Sequence, residues 1–264
     1  MIDVSKKKRI VLKLGTSTLT HKTGKLNIRR MTNLVRILSD LHNAGRELLI
    51  VSSGAVGMGV GKLNLPERPK DTPSKQAAAA VGQCELMHIY DDMFAKYGVT
   101  VAQILLTKTT LTNGRLPHVQ NTIHRLLELG VIPIVNENDT VSIDELELEI
   151  GENDSLAAQL AVAVDADLLV ILSDINGLYS ADPRKYEDAE VIRVVEKIDE
   201  RIVQMAGGAG TSFGTGGMTT KINAAKIATE NGVDMVIMNG RDPEQLYGLF
   251  DGEPVGTHFL AQEV

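Results

Sequence analysis

Short, nearly continuous runs of Val, Ile and Leu recur at Arg9–Leu14, Glu47–Val51, Val99–Leu106, Val131–Asn136, Leu168–Ser173 and Asp234–Met238. Apolar runs of this length, without alternation, predict strands covered on both faces. Between them the period changes. Met31, Leu34, Val35, Leu38 and Leu41 follow helical spacing, and Gly45 is placed to stop that helix. An alanine-rich helix is expected over Ser74–Tyr97, ending at Gly98, with others over Val119–Leu129, Asp154–Val164 and Lys221–Asn231. Strands alternating with helices imply an α/β fold with a mostly parallel open sheet and helices on both faces. Two segments break the alternation: Ser142–Ile150 reads as an acidic strand or hairpin, and Tyr179–Lys197 as an extended excursion containing the turn Ala181-Asp182-Pro183. Without repeats, low-complexity tracts or a linker, residues 1–264 are expected to form a single domain of two lobes, about 1–167 and about 168–264.

Composition narrows the function classes. A length of 264 residues with 43% hydrophobic side chains is enough for a substantial core. The net charge of −7 and the lack of a basic run beyond Lys6-Lys7-Lys8-Arg9 argue against a nucleic-acid partner. Aromatic residues make up only 3% and Trp is absent, which removes a base-stacking platform. The single Cys84 rules out an intrachain disulfide and fits a reducing cytosol. No run reaches the roughly 18 apolar residues of a membrane span, and no apolar signal region follows the polar start. A soluble, cytoplasmic protein without a membrane partner is expected.

Polar residues cluster where ligands gather in open α/β sheets, beyond the carboxyl ends of the strands. Lys13, Gly15, Thr16 and Ser17 follow the first strand; Ser52, Ser53 and Gly54 follow the second. Asn136, Glu137, Asn138 and Asp139 follow the fourth, and Ser173 and Asp174 a later one. The stretch Gly214-Thr215-Gly216-Gly217-Met218-Thr219-Thr220-Lys221 reads as a glycine turn with a lysine at the head of a helix. Such a turn offers backbone N–H groups, a helix dipole and a full positive charge to a polyphosphate. Together with Lys13 it supplies the two lysines that phosphoryl transfer needs in the absence of a Walker loop. Each lysine has the alternative of being a surface residue.

The run Gly54-Ala55-Val56-Gly57-Met58-Gly59-Val60-Gly61 departs from G-x-G-x-x-G spacing. It reads as a turn whose exposed N–H groups suit a small carboxylate, or as a plain turn. Asn136–Asp139 and Gly151-Glu152-Asn153-Asp154 are acidic-amide loops that could take a substrate ammonium, with Asp154 orienting the two lysines. A helix cap for Asp154 and a turn for Asp139 are the alternatives. Ser173–Pro183 reads as a nucleotide shelf or simply as a turn-rich loop. The histidines are scattered and form no ligand set, so no protein metal site is expected; magnesium would arrive on nucleotide phosphates.

The segments Val11–Ser17, Val51–Ala55, Ser74–Gln83, Ile134–Asp139, Gly177–Pro183 and Gly214–Lys221, in this order, resemble the amino-acid kinase family. The resemblance runs from Arg9 to about Gly256, and Ser74-Lys75-Gln76-Ala77 and Asn136-Glu137-Asn138-Asp139 are similar to its glutamate branch. It implies a three-layer α/β/α sandwich that uses ATP with Mg2+ to phosphorylate the γ-carboxylate of L-glutamate, giving L-glutamyl 5-phosphate for proline synthesis. It implies catalytic roles for Lys13, Lys221 and Asp154, and glutamate contacts for Ser53, Asp139 and Asn153. On the nucleotide it places Lys13, Ser173, Asp174, Thr215, Gly216, Gly217, Met218, Thr219, Thr220 and Lys221. The amino-terminal lobe would hold substrate and the carboxyl-terminal lobe nucleotide.

Proline as feedback inhibitor, a homo-oligomer (dimer or tetramer) and hand-off to glutamyl phosphate reductase are implied in the same way. Many members carry a further carboxyl-terminal RNA-modification-type domain; this chain ends where it would begin, so none is expected. Glu152 stands where Asp is frequent in the family. A carboxylate acceptor is already ionised at pH 7 and needs no general base. The competing readings are a kinase of the same fold acting on aspartate, acetylglutamate, carbamate or a nucleotide, and a non-catalytic amino-acid sensor.

Overall fold

The computed structural model describes residues 2–21, 25–107, 110–111, 114–141, 152–183, 185–207 and 215–262. The described strands are β1 (Arg9–Leu14), β2 (Glu47–Val51), β3 (Val101–Leu106), β4 (Ile132–Glu137), β5 (Leu168–Ser173), β6 (Val194–Val195), β7 (Asp234–Asn239) and β8 (Thr257–Phe259). The residues fall into two compact units, Leu14–Glu149 and the combination of Met1–Lys13 with Ile150–Val264. The second takes in nearly all of β1 and the helix Glu152–Ala163, whereas the sequence reading put its lobe boundary near residue 167. Hydrogen bonds account for this grouping. The backbone N–H groups of Lys8 and Arg9 donate to Asp167 Oδ2 at 2.8 and 2.7 Å, and the Arg9 guanidinium donates to the Val164 carbonyl.

Within Leu14–Glu149, β4 lies between β3 and β2, and both pairs are parallel. All six residues of β4 are buried, the polar Asn136 and Glu137 at its carboxyl end included, while β3 at the edge is only partly covered and exposes Gln103. The helix Ile28–Asn43 begins where the Asn27 side chain accepts from the Arg30 backbone N–H at 3.1 Å. It buries Met31, Leu34, Val35, Leu38 and Leu41, the stripe its spacing predicts, and Gly45 ends it with a left-handed φ of +96°. The longer helix Thr72–Ala95 is capped by Asp71, which accepts from the Ser74 N–H at 2.9 Å.

The Gly54–Gly61 run corrects the sequence reading. It is not a turn: Gly54 has a φ of +101°, and Ala55–Lys62 is helical. Its glycines serve packing. A Cβ on Gly59 would lie 1.8 Å from the Ala78 carbonyl oxygen, and one on Gly82 would lie 1.8 Å from that of Ala55. The helices Ala55–Lys62 and Thr72–Ala95 therefore meet backbone to backbone. Gly82→Ala is expected to destabilise the protein by ~3 kcal/mol or more, because the clash is with main chain that cannot rotate away. Gly57→Ala, whose Cβ would meet only Thr16 at 3.9 Å, should be neutral or stabilising through helix propensity. Urea denaturation of the two variants checks this; equal midpoints would refute the packing role.

In the other unit the order is β1-β5-β7-β8-β6. β5 and β7 are parallel, with Leu168 opposite Asp234 and Ser173 opposite Asn239; β8 runs antiparallel to β7 and parallel to β6. The described strands are thus mostly parallel and alternate with helices, the α/β class expected. β6, β8 and the helices Glu200–Gly207 and Gln245–Phe250 were not anticipated. Two or three residues of strand carry no readable period. The Tyr179–Lys197 excursion is held by an isolated bridge between Tyr179 and Val191 and then enters β6. The acidic segment Ser142–Ile150 lies outside the described residues. Among the described residues no helix is long and apolar enough to cross a membrane.

Candidate functional site

β1 carries Lys13 between the fully buried Leu12 and Leu14, and Lys13 is itself only 8% exposed. The first turn of Glu152–Ala163 supplies Asp154, 1% exposed, and the helix Thr215–Thr229 supplies Thr220 and Lys221. These residues meet on one carboxylate. Lys13 Nζ is 2.8 Å from Asp154 Oδ1, and Lys221 Nζ is 3.1 Å from Oδ2. Thr220 Oγ1 donates to the same Oδ2 at 2.9 Å.

The Lys221 ammonium also donates to the Gly217 carbonyl at 2.9 Å, one helical turn earlier. Helical side chains lean toward the amino terminus, which brings Lys221 back over the start of its own helix. Thr220 Oγ1 is also 3.1 Å from the Gly217 carbonyl.

Burial by itself would raise the pKa of Asp154, but attraction to Lys13 and Lys221 and the hydrogen bonds from Lys13 and Thr220 outweigh it, and the net shift is downward. The carboxylate therefore stays ionised. Among the described residues one negative charge faces two ammonium groups, so the cluster keeps a surplus positive charge in a buried setting, where electrostatic attraction is strong. An oxyanion is the ligand such a cluster attracts.

Two local expectations need correction. Lys221 was expected at the head of its helix, after a glycine turn; the helix already begins at Thr215. Gly216, Gly217, Met218, Thr219 and Thr220 are helical, and Lys221 sits in the second turn. Gly214 lies outside the described residues. Likewise the helix expected from Asp154 already begins at Glu152, so Glu152 and Asn153 are helical instead of forming a loop. The first-turn N–H groups of Thr215–Thr229, which have no partner within the helix, face beyond its amino end as an anion site requires.

Ser173 ends β5 and is 3.4 Å from Asp174 Oδ1 through its hydroxyl. Asp174 is exposed, and neither residue bonds to Lys13, Asp154 or Lys221. Asn153 is half-buried beside Asp154. Ser53 and Asp139 belong to the Leu14–Glu149 unit, where they follow the neighbouring parallel strands β2 and β4. The Ser52 N–H donates to the Val135 carbonyl at 2.8 Å, which locks these two strand exits in register.

Behind those exits the structure adds two residues that the sequence reading missed. Gln83 Oε1 accepts from Asn136 Nδ2 at 2.8 Å, and the Tyr90 hydroxyl is 2.9 Å from Ser52 Oγ. Burial drives the Tyr90 pKa well above the ordinary phenol value. Both side chains come from Thr72–Ala95, seven residues apart and on its buried face with Leu86 and Phe94. Polar Gln83 and Tyr90 at helical spacing with Ala79, Leu86 and Phe94 were the available signal. Among the described residues, no group of three or more His, Cys, Asp or Glu is placed to hold a metal ion.

Residues 8–239 match the model of the amino acid kinase family. Glutamate 5-kinase of Clostridium perfringens is 52% identical over 97% of this chain and 96% of its own length. Glutamate 5-kinase of Clostridium tetani is 54% identical over 96% of this chain and 95% of its own. The protein of that name from Moorella thermoacetica is 50% identical over 99% of this chain and 69% of its own. Among solved structures, UMP kinase from Bacillus anthracis superposes with a TM-score of 0.64 at 16% identity, covering 97% of each chain. An isopentenyl phosphate kinase from T. acidophilum gives 0.62 at 15% identity, covering 96% of this chain and 100% of its own. At such identities these structures speak for the fold alone.

Proposed function

Because the chain belongs to the amino acid kinase family, we propose that it transfers the γ-phosphoryl group of ATP to the side-chain carboxylate of L-glutamate. The observation that carries this reading is the surplus positive charge where Lys13 and Lys221 share the Asp154 carboxylate. The name of the curated relatives supports the acceptor.

The chemistry fits the residues present. A carboxylate oxygen of glutamate, ionised at neutral pH, attacks the γ-phosphorus; the bond to the β,γ-bridging oxygen breaks, and its electron pair leaves with ADP. The product is an acyl phosphate, L-glutamyl 5-phosphate. No general base is needed, so positioning and charge stabilisation remain. Lys13 neutralises the transferring phosphoryl oxygens, and Lys221 acts from the nucleotide side. Asp154 holds both ammonium groups in place, and Thr220 fixes the carboxylate. The first turn of Thr215–Thr229 receives phosphate, with Ser173 and Asp174 toward the nucleoside. Magnesium, which assists by neutralising phosphate charge, is carried by the nucleotide in this proposal. Ser53, Asp139 and Asn153 hold the acceptor, with Asp139 on its ammonium.

The test is ADP release with L-glutamate, with the acyl phosphate trapped by hydroxylamine. Hydroxamate should form with L-glutamate and far less with N-acetylglutamate, whose amide cannot pair with Asp139. Absence of hydroxamate with L-glutamate defeats the proposal. Family resemblance further supports proline as feedback inhibitor, a homo-oligomer (dimer or tetramer) and transfer of product to a reductase. Proline titration of the same assay, light scattering, and kinetics with the reductase added address each in turn. The lone exposed thiol of Cys84 supports a cytoplasmic location.

A further inference from the structure

We propose that Gln83 is an acceptor-binding residue, whose side-chain N–H donates to the α-carboxylate of the amino-acid substrate. This rests on the proposed glutamate kinase reading and names a contact within it. The orientation of the amide follows from a backbone group. The Glu137 N–H donates to Asn136 Oδ1 at 2.9 Å, so Asn136 must present its Nδ2 to Gln83. Gln83 must then accept with Oε1, at 2.8 Å, which leaves Nε2 as a donor. That nitrogen is buried and has no hydrogen-bond partner among the described residues, and Gln83 is only 8% exposed. A buried donor without a partner is costly, and a ligand oxygen would relieve it.

The surroundings specify the ligand group. Asn136 is the penultimate residue of β4, the strand that leads to Asp139, the residue proposed for the substrate ammonium. Gly82, next to Gln83, is packed against the Ala55 carbonyl, just after Ser53 and Gly54. Gln83 is therefore held between the β2 and β4 exits of the Leu14–Glu149 unit, while the lysine cluster lies in the other unit. A neutral amide donor suits the carboxylate that is recognised rather than the one that reacts. The reacting carboxylate keeps its oxygens free for attack.

The test uses the full chain and three proteins: wild type, Gln83→Glu and Gln83→Met. Gln83→Glu keeps the oxygen that Asn136 needs but replaces the donor with a negative charge facing the substrate carboxylate. Glutamate KM, and Kd by calorimetry, should rise at least tenfold, with ATP KM little changed. Gln83→Met removes the donor at similar volume. It should shrink the kcat/KM preference for L-glutamate over 4-aminobutyrate, which lacks the α-carboxylate, by at least about tenfold. If Gln83→Glu fails to fold, that ratio decides alone. A glutamate KM within twofold of wild type in folded Gln83→Glu, or an unchanged ratio in Gln83→Met, overturns this inference and leaves the kinase reading intact. A wild-type protein that neither binds nor phosphorylates glutamate overturns both.

Discussion

Lys221→Ala should lower kcat by about 10²–10³-fold while moving the glutamate KM by less than about threefold. The ammonium lies 3.1 Å from Asp154 Oδ2 and Lys221 is 9% exposed, so little water is available to replace the lost charge. Charge that develops on the phosphoryl oxygens in the transition state would go uncompensated, whereas glutamate in the ground state makes no use of it. Lys13→Ala should behave alike, because its ammonium approaches the same carboxylate from Oδ1 at 2.8 Å. The double variant should fall short of the product of the two losses, since the lysines act as a unit. Steady-state kinetics with each variant checks this, and a kcat within threefold of wild type in both would remove the lysines from the chemistry.

Asp154→Asn should be the most damaging of these substitutions for stability, and it should lower turnover as well. It leaves two buried ammonium groups facing a neutral amide, and breaking a buried ion pair in this way costs about 3–5 kcal/mol. Turnover should fall by about 10²-fold, because the lysines lose the group that fixes their positions. ATP should then stabilise the variant at least as much as wild type, since its phosphates supply the missing negative charge. Differential scanning fluorimetry with and without ATP reads this. A melting temperature equal to that of wild type without nucleotide would refute the ion-pair role.

The same pair of proteins carries a pH signature. The folded-state pKa of Asp154 lies below its ordinary value of 3.8, so the unfolded chain binds a proton there more readily than the folded one. The carboxylate's contribution is complete above that ordinary value and is lost as the pH falls through the lower folded-state pKa. The stability gap between wild type and Asp154→Asn should accordingly be constant from neutral pH down to about pH 4 and narrow below it. A gap that stays constant in acid would mean that the aspartate is not stabilised in its charged form.

Much of the architecture was legible because its causes are local. Leu168–Ser173 and Glu47–Val51 are strands with the boundaries their apolar runs predict. The helix of Met31–Leu41 stops at Gly45, where the chain takes a left-handed conformation that costs glycine little. Elsewhere local signals misled. The glycines of Gly54–Gly61 read as turn formers, yet Gly59 is glycine because the Ala78 carbonyl lies where a Cβ would be. Lys221 read as a helix head because Gly216 and Gly217 looked like a loop; both are helical. Gln83 looked like one more polar residue in an alanine-rich helix until Asn136 was placed against it.

The sequence by itself determined where the longer buried strands and the clearly periodic helices form and which residue types could meet a phosphate, since backbone preference and hydrophobic period are settled within a few neighbouring residues. Only the tertiary structure decided which side chains share an environment: Lys13 and Lys221 on the two oxygens of Asp154, Tyr90 on Ser52, Gln83 on Asn136. Those partners come from segments far apart in the chain. Their pairing depends on how helices and strands pack, and packing depends on the shape and volume of all the surfaces in contact at once.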